Sequence, residues 1–219
     1  MGAPTRTRVQ PRGMERNWKA EYLRLMNGHR PGLPDPEAVR RGGPPREQRL
    51  TGTEVREAEG ELGITFPVEY REHLLRHGNS NGCGNGGFRQ LWRGPRGWGW
   101  YDDTDTNYGL LDEPFPHPDT YRAHEDDLDA REPSREDTDA WEAWDCEAGV
   151  LEELKTAGAV YIRPGGCGFS TLLVVTGPHR GEMWFDGRAT CDRILPLTWA
   201  GRPVSFATWV ARDTGMAPW

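Results

Sequence analysis

The chain has 219 residues, a mean hydropathy of -0.80 and a net charge of -7. That length suits one sizeable core rather than two; an apolar content of 35% places part of the chain outside it, while ten tryptophans argue against general disorder. No apolar run reaches the roughly 18 to 20 residues of a membrane helix, and four separated cysteines, Cys83, Cys146, Cys167 and Cys191, form no Cys-x-x-Cys pair, which excludes a zinc ribbon and a dithiol redox motif.

The charge is unevenly placed. Residues 102–147 hold 17 acidic and 3 basic side chains, a local charge of -14, so the rest of the chain carries +7. A negative face on a mildly basic body points to a cationic partner and away from nucleic acid or an anionic membrane. Nearly all basic residues are Arg, with Lys19 and Lys155 as the exceptions, a bias from which no mechanism is drawn.

In chain order, residues 1–14 have no apolar period and are expected to be a disordered tail. They carry positive charge with no hydrophobic stretch behind it, which does not make a secretory signal and gives a cytoplasmic expectation with reduced thiols. Residues 15–49 read as a helix and a loop: Trp18, Tyr22, Leu23 and Met26 recur as one buried stripe, Gly28 can end the helix, and Pro and Gly fill 31–45.

The most legible segment is 50–78. Thr51 and Glu54 stand three apart as a capping box, Val55, Ala58 and Leu62 share a helical face, and Gly63 suits a left-handed helix end. Pro67 then fits a helix start, Tyr70, Leu74 and Leu75 build an apolar stripe, and Gly78 with Asn79 supplies the stop. A glycine and asparagine loop follows at 79–87, then a Trp-rich extended or looped run whose glycines favour exposure. The acidic stretch is expected to hold short helices at 120–130 and 140–154. From 159 the period changes to two, with strands at 159–163, 170–176, 182–186 and 194–197, and a Gly-Pro-His-Arg-Gly turn at 177–181. A final helix over 204–210 carries Phe206, Trp209 and Val210, capped by Ser205. The expected fold is α+β: a single domain with an antiparallel sheet packed by several helices, and a tail at 213–219.

The order Glu57, Leu62, Gly63, Phe66, Pro67, Tyr70, Arg71, Leu74, Gly78, Asn79 resembles the opening of SUKH-type domains, a group of bacterial immunity proteins and fungal cell-wall-synthesis regulators. A second block is similar too: a glycine-led strand with Gly166 and Gly168, a Gly-x-x-Trp strand ending in Trp184, and a terminal Ser-Phe-x-x-Trp helix with Phe206 and Trp209. The segments NYGLL and EPFPHPDTY look like the family's links. The resemblance spans 50–212 and implies an α+β fold and a protein that binds a toxin, often a nuclease, made by the same strain.

Several local patterns resemble sites of known chemistry. The glycines of 82–87 match G-x-G-x-x-G but follow a helix, where the dinucleotide fingerprint follows a strand. His73 and His77 lie four apart with Cys83 beyond, yet lack the order of a zinc helix. Cys167 reads as a small buried thiol beside a strand rather than a nucleophile. His117, His124 and His179 carry no triad signature. Trp92, Trp98, Trp100 and Tyr101 beside Asp102, Asp103 and Asp105 could stack a sugar and supply two carboxylates, the carbohydrate-active alternative, but such dense acids do not show separate environments. No catalytic residue, metal or cofactor is assigned.

The same residues are more economical as an interface for a basic toxin protein, to which Asp112, Glu113, Glu125, Asp126 and Asp127 are added, with Trp184 and Trp209 kept for the core. The expectation is a non-enzymatic immunity protein acting by occlusion; a cell-wall-related scaffold is the other alternative.

Overall fold

The computed structural model describes residues 17–29, 47–79, 87–94, 97–191 and 193–212. The tails at 1–14 and 213–219, the loop at 31–45 and the glycine pattern with Cys83 lie outside the described residues. Among the described residues the fold is α+β. Helices α1 (Trp18–Met26), α2 (Gly52–Leu62) and α3 (Val68–Arg76) precede a hairpin of β1 (Leu91–Gly94) and β2 (Gly97–Trp100). Helices α4 (Arg122–Ala130) and α5 (Thr138–Leu154) lead into an antiparallel sheet of β3 (Ala159–Gly166), β4 (Phe169–Val174), β5 (Met183–Asp186) and β6 (Ile194–Pro196), paired in that order. A short α6 (Arg188–Cys191) joins β5 to β6, and a ribbon of β7 (Thr198–Trp199) and β8 (Arg202–Pro203) leads to α7 (Phe206–Ala211).

Local signals set the element ends. Thr51 accepts from the Glu54 amide while the Glu54 carboxylate accepts from the Thr51 amide, closing a capping box. Gly63 ends α2 with φ 71, and Ser205 caps α7 by accepting from Thr208. Pro67 stands at the N-cap of α3, one position before its first helical residue. Gly78, with φ 126, lets its chain turn back so that Asn79 bonds the carbonyl of Gln48.

Strand alternation then sorts the sheet's side chains onto two faces. Val160, Ile162, Leu173, Val175, Met183 and Phe185 join the main core with Val55, Ala58, Leu62, Phe66, Tyr70 and Leu74 of the helical hairpin, and with Phe206 and Trp209. On the other face Ala159, Tyr161, Leu172, Val174, Trp184 and Ile194 pack with Phe115. A third cluster sets Leu25 of α1 against Val150 of α5, with Trp18 and Tyr22 beside it.

The α1 stripe differs from the sequence expectation. Trp18, Tyr22 and Leu25 face α5, at spacings of four and three, whereas Leu23 and Met26 are 56% and 40% exposed. Both readings fit a helical period, and contact with α5 selects between them. The strand over 194–197 shortens to three residues, and the Trp-rich run is a true hairpin.

Gly158, at the start of β3 with φ 64, sits where 113–115 crosses the sheet; a Cβ there would stand 2.2 Å from the Glu113 carbonyl oxygen. At Gly63 nothing lies within 4 Å of such an atom. Gly63→Ala should therefore cost only the left-handed penalty, about 1 kcal/mol, and Gly158→Ala about 3 kcal/mol or more because overpacking adds to it. Urea unfolding of the two variants checks the order.

Candidate functional site

The second face of the sheet carries a run of buried charge. Asp186, at the end of β5, receives the Nε and Nη2 of Arg188 at 3.0 and 2.7 Å, and the Tyr161 hydroxyl at 3.0 Å. Arg188 Nη1 reaches the Glu152 carboxylate of α5 at 2.7 Å. The other oxygen of Glu152 accepts from Lys155, which also donates to Glu125 of α4 at 2.5 Å and lies 5.6 Å from the centre of the Tyr121 ring. Lys155 is 4% exposed and Asp186 is equally shut in. A single ionic chain thus ties α4, α5, α6, β5 and β3.

Burial acts to raise the Asp186 carboxyl, but bonds from Arg188 outweigh it and hold the group below its ordinary range. Burial pushes the Tyr121 phenol up to about 12, with Glu125 adding to the effect. Glu147 on α5 follows the logic of Asp186: burial opposes ionisation, yet Arg131 at 2.5 Å and His124 at 2.9 Å hold it low.

Above this network, α4, α5 and the β5–β6 edge bound a groove of 840 Å³. Its apolar floor includes Leu128, Trp144, Leu151 and Ile194; Glu125, Asp126 and Asp129 stand along the α4 wall, and Arg193 is among the remaining lining residues. Trp144 is fixed by its indole N–H, which donates to the Leu128 carbonyl at 2.9 Å. On α5, Trp141 and Trp144 pack with ring centres 5.1 Å apart, and the Arg135 guanidinium lies 4.8 Å over Trp141. Both rings are half-buried amid the exposed carboxylates Asp137, Asp139, Glu142 and Asp145.

The residues assigned to an interface from sequence divide in three. Trp98 and Trp100 are core residues, 3% and 2% exposed, because the hairpin folds onto α2 and α3; Trp100 donates its indole N–H to Tyr70 at 2.9 Å. Asp103 is also interior. It accepts from Arg89 at 2.9 Å and from the amides of Asp105 and Thr106, so its carboxylate organises a turn inside the fold. Burial pushes its carboxyl up while Arg89 and Thr106 pull it down.

Trp92, Tyr101 and Asp102 are half-buried on the hairpin, with Trp92 and Tyr101 5.7 Å apart, and exposed Asp105 is engaged with Arg89 at 2.9 Å. Asp112, Glu113, Asp126 and Asp127 are exposed, and Glu125 belongs to the ionic chain. The hairpin and helical groups therefore sit on separate elements. Among the motif residues, Leu62, Tyr70, Leu74, Trp184, Phe206 and Trp209 are buried, whereas Glu57 is exposed and pairs with Arg93.

Sequence reasoning missed Lys155, Arg188, Trp141 and Trp144. The tryptophans had a usable signal, since two aromatics three apart in a highly charged helix need a reason. Cys167 is exposed, with φ 52 between Gly166 and Gly168 at the tip of the β3–β4 hairpin, and is not the buried thiol expected. His73 and His77 stack at 5.1 Å, and His73 packs on Phe88 and Phe206. Among the described residues no three His, Cys, Asp or Glu side chains are placed to share a metal ion, and no helix is long and apolar enough to cross a membrane.

In the groove Glu125 and Glu152 share one ammonium and so do not occupy the separate environments that an acid and a base need. Compared with known proteins, the chain matches no family model, and no curated protein or solved structure matches it significantly.

Replacing Arg188 by Gln removes the one cation that Glu152 and Asp186 share. Because the folded Asp186 titrates below its unfolded value, its contribution is complete above about pH 4 and is lost as pH falls through the lower folded value. Arg188→Gln should cost roughly 3 to 5 kcal/mol and raise the midpoint of acid unfolding, read by circular dichroism against pH.

Proposed function

We propose that this chain is an immunity-type binding protein of the SUKH kind, which neutralises a cognate, basic bacterial toxin by occlusion and catalyses no reaction itself. The observation that carries this reading is the division of charge. Interior cations and anions are spent on one another, whereas Asp139 and Asp145 stand exposed on α5 beside two aromatic rings, and exposed Glu142 and Asp127 are paired with the surface cations Lys19 and Arg131.

Such a face gives fast, salt-sensitive encounter with a cationic surface, and the rings supply contact area that solvated acids do not. A nuclease toxin suits this chemistry, because the surface that holds nucleic acid is itself positive. Acids on α4 and α5 would cover that surface in place of phosphates. The similarity to SUKH sequences supports the same role, and a gene adjoining this one is where the family places its toxin.

The test is co-purification of the tagged full chain with the products of neighbouring genes, followed by rescue of cells expressing the toxin. Reversing Asp139, Glu142 and Asp145 to Arg should slow association about tenfold or more and flatten the salt dependence. Trp141→Ala should cost about 1 to 2 kcal/mol of binding. Asp103→Arg should instead unfold the protein. Absence of any co-purifying partner and of rescue would defeat the reading.

A further inference from the structure

The first turns of α5 leave part of two rings, Trp141 and Trp144, in solvent. Beside them Asp139 and Asp145 are exposed, and neither makes an ion pair among the described residues. Asp145 lies four residues from Trp141, so ring and carboxylate share one side of the helix. The chemistry this side accepts is visible on one ring. The Arg135 guanidinium stacks over Trp141 at 4.8 Å, the arrangement in which the negative face of an aromatic ring attracts a cation.

The direction of α1 says which part of the chain arrives there. Lys19 meets Glu142 at 2.6 Å, the Tyr22 ring packs at Gly149, and the Leu25 carbonyl accepts from Asn107, which also donates to Glu153. The two helices therefore run side by side in one direction, and α1 begins where α5 begins. Residues 1–16 enter α1 at that end, while the chain after His29 leaves from the other. Those sixteen residues hold Arg6, Arg8, Arg12 and Arg16 against a single acid, Glu15. Fully extended they reach up to roughly 50 Å, about twice the roughly 25 Å length of α5. Distance does not keep their arginines from Asp139 and Asp145, and the charges are complementary.

We infer that residues 1–16 dock on the first turns of α5, with one arginine on the pair Trp141 and Trp144 and others on Asp139 and Asp145. The tether supplies what a free basic peptide lacks, because a segment joined to its site by a short connection acts at a high effective concentration. The docking itself does not need a toxin; its consequence rests on the proposed immunity role. It covers the face that would meet a basic partner, so the partner has to displace the chain's own arginines, and its apparent affinity scales with the fraction of molecules whose face is free. Weakly basic proteins are thereby kept off.

The experiment uses the full chain labelled with ¹⁵N-tryptophan, with no toxin present. Trp141→Phe and Trp144→Phe assign the two indole signals, and Trp184, 1% exposed, is the reference. Arg6→Gln, Arg8→Gln and Arg12→Gln are combined in one variant; none of the three lies in a described helix or strand. Spectra are compared between about 10 mM and about 1 M salt, over which the screening length falls from roughly 30 to 3 Å.

The expected result is that the Trp141 signal of the native chain moves as salt rises. The triple variant at low salt should already sit near the high-salt position, with a remaining shift at least about threefold smaller, and the Trp184 signal should stay in place throughout. Asp139→Asn with Asp145→Asn should abolish the difference between native and Gln-bearing segments. Equal salt shifts in the native chain and the triple variant overturn the docking, and so does a difference that survives the loss of both carboxylates. A shift that grows with protein concentration overturns it too, by assigning the arginines to a second copy. Each of these leaves the immunity reading standing, whereas the absence of a co-purifying toxin would defeat that reading and not the docking.

Discussion

The arrangement of this molecule depends on Glu152, whose two carboxylate oxygens accept from Lys155 on one side and Arg188 on the other. Through it α4 is tied to the sheet, by way of Glu125, Lys155, Arg188, Asp186 and Tyr161. Buried ion pairs add little net stability over apolar packing of the same shape, but removing Arg188 strands Asp186 away from water, whereas Glu152 and Glu125 are partly exposed and can be resolvated. The consequence is orientational. The pairs are satisfied in one placement of the helices over the sheet, and that placement defines the groove.

This also separates two populations of charge. Groups that face inward are bound twice or more, as Arg188 and Asp103 are. On the outward side of α4 and α5, Asp126, Asp129, Asp139 and Asp145 are exposed, while Asp127 and Glu142 hold surface cations. An electrostatic binding face needs the second kind, held on a support that does not move when a partner approaches. The main core beneath, from Val55 to Trp209, is built wholly from apolar contacts with a few aromatic hydroxyl and indole bonds.

Much of this was legible from sequence where the cause is local. The capping box at Thr51, the left-handed Gly63, and the two-residue period from Ala159 onward are each written within a few residues. What escaped depends on distant groups. Leu25 rather than Leu23 faces inward because α5 lies on that side; Trp98 and Trp100 are interior because their hairpin closes on α2 and α3, which outweighs the glycines around them. Lys155 and Arg188 meet partners at separations of 30 and 36 residues, and no periodicity announces such pairs. Acidity was read correctly as a property of 102–147, but not which members are spent internally.

The central claim is that the ionic chain fixes the acidic helices on an independently stable sheet. Lys155→Met tests it most directly, because Glu125 and Glu152 are partly exposed and can regain water when the ammonium is lost. Native-state hydrogen exchange of the variant should show amides of α4 losing protection by about 1 to 3 kcal/mol while β3, β4 and β5 keep theirs. Equal loss across helix and sheet, or none in α4, would contradict the account.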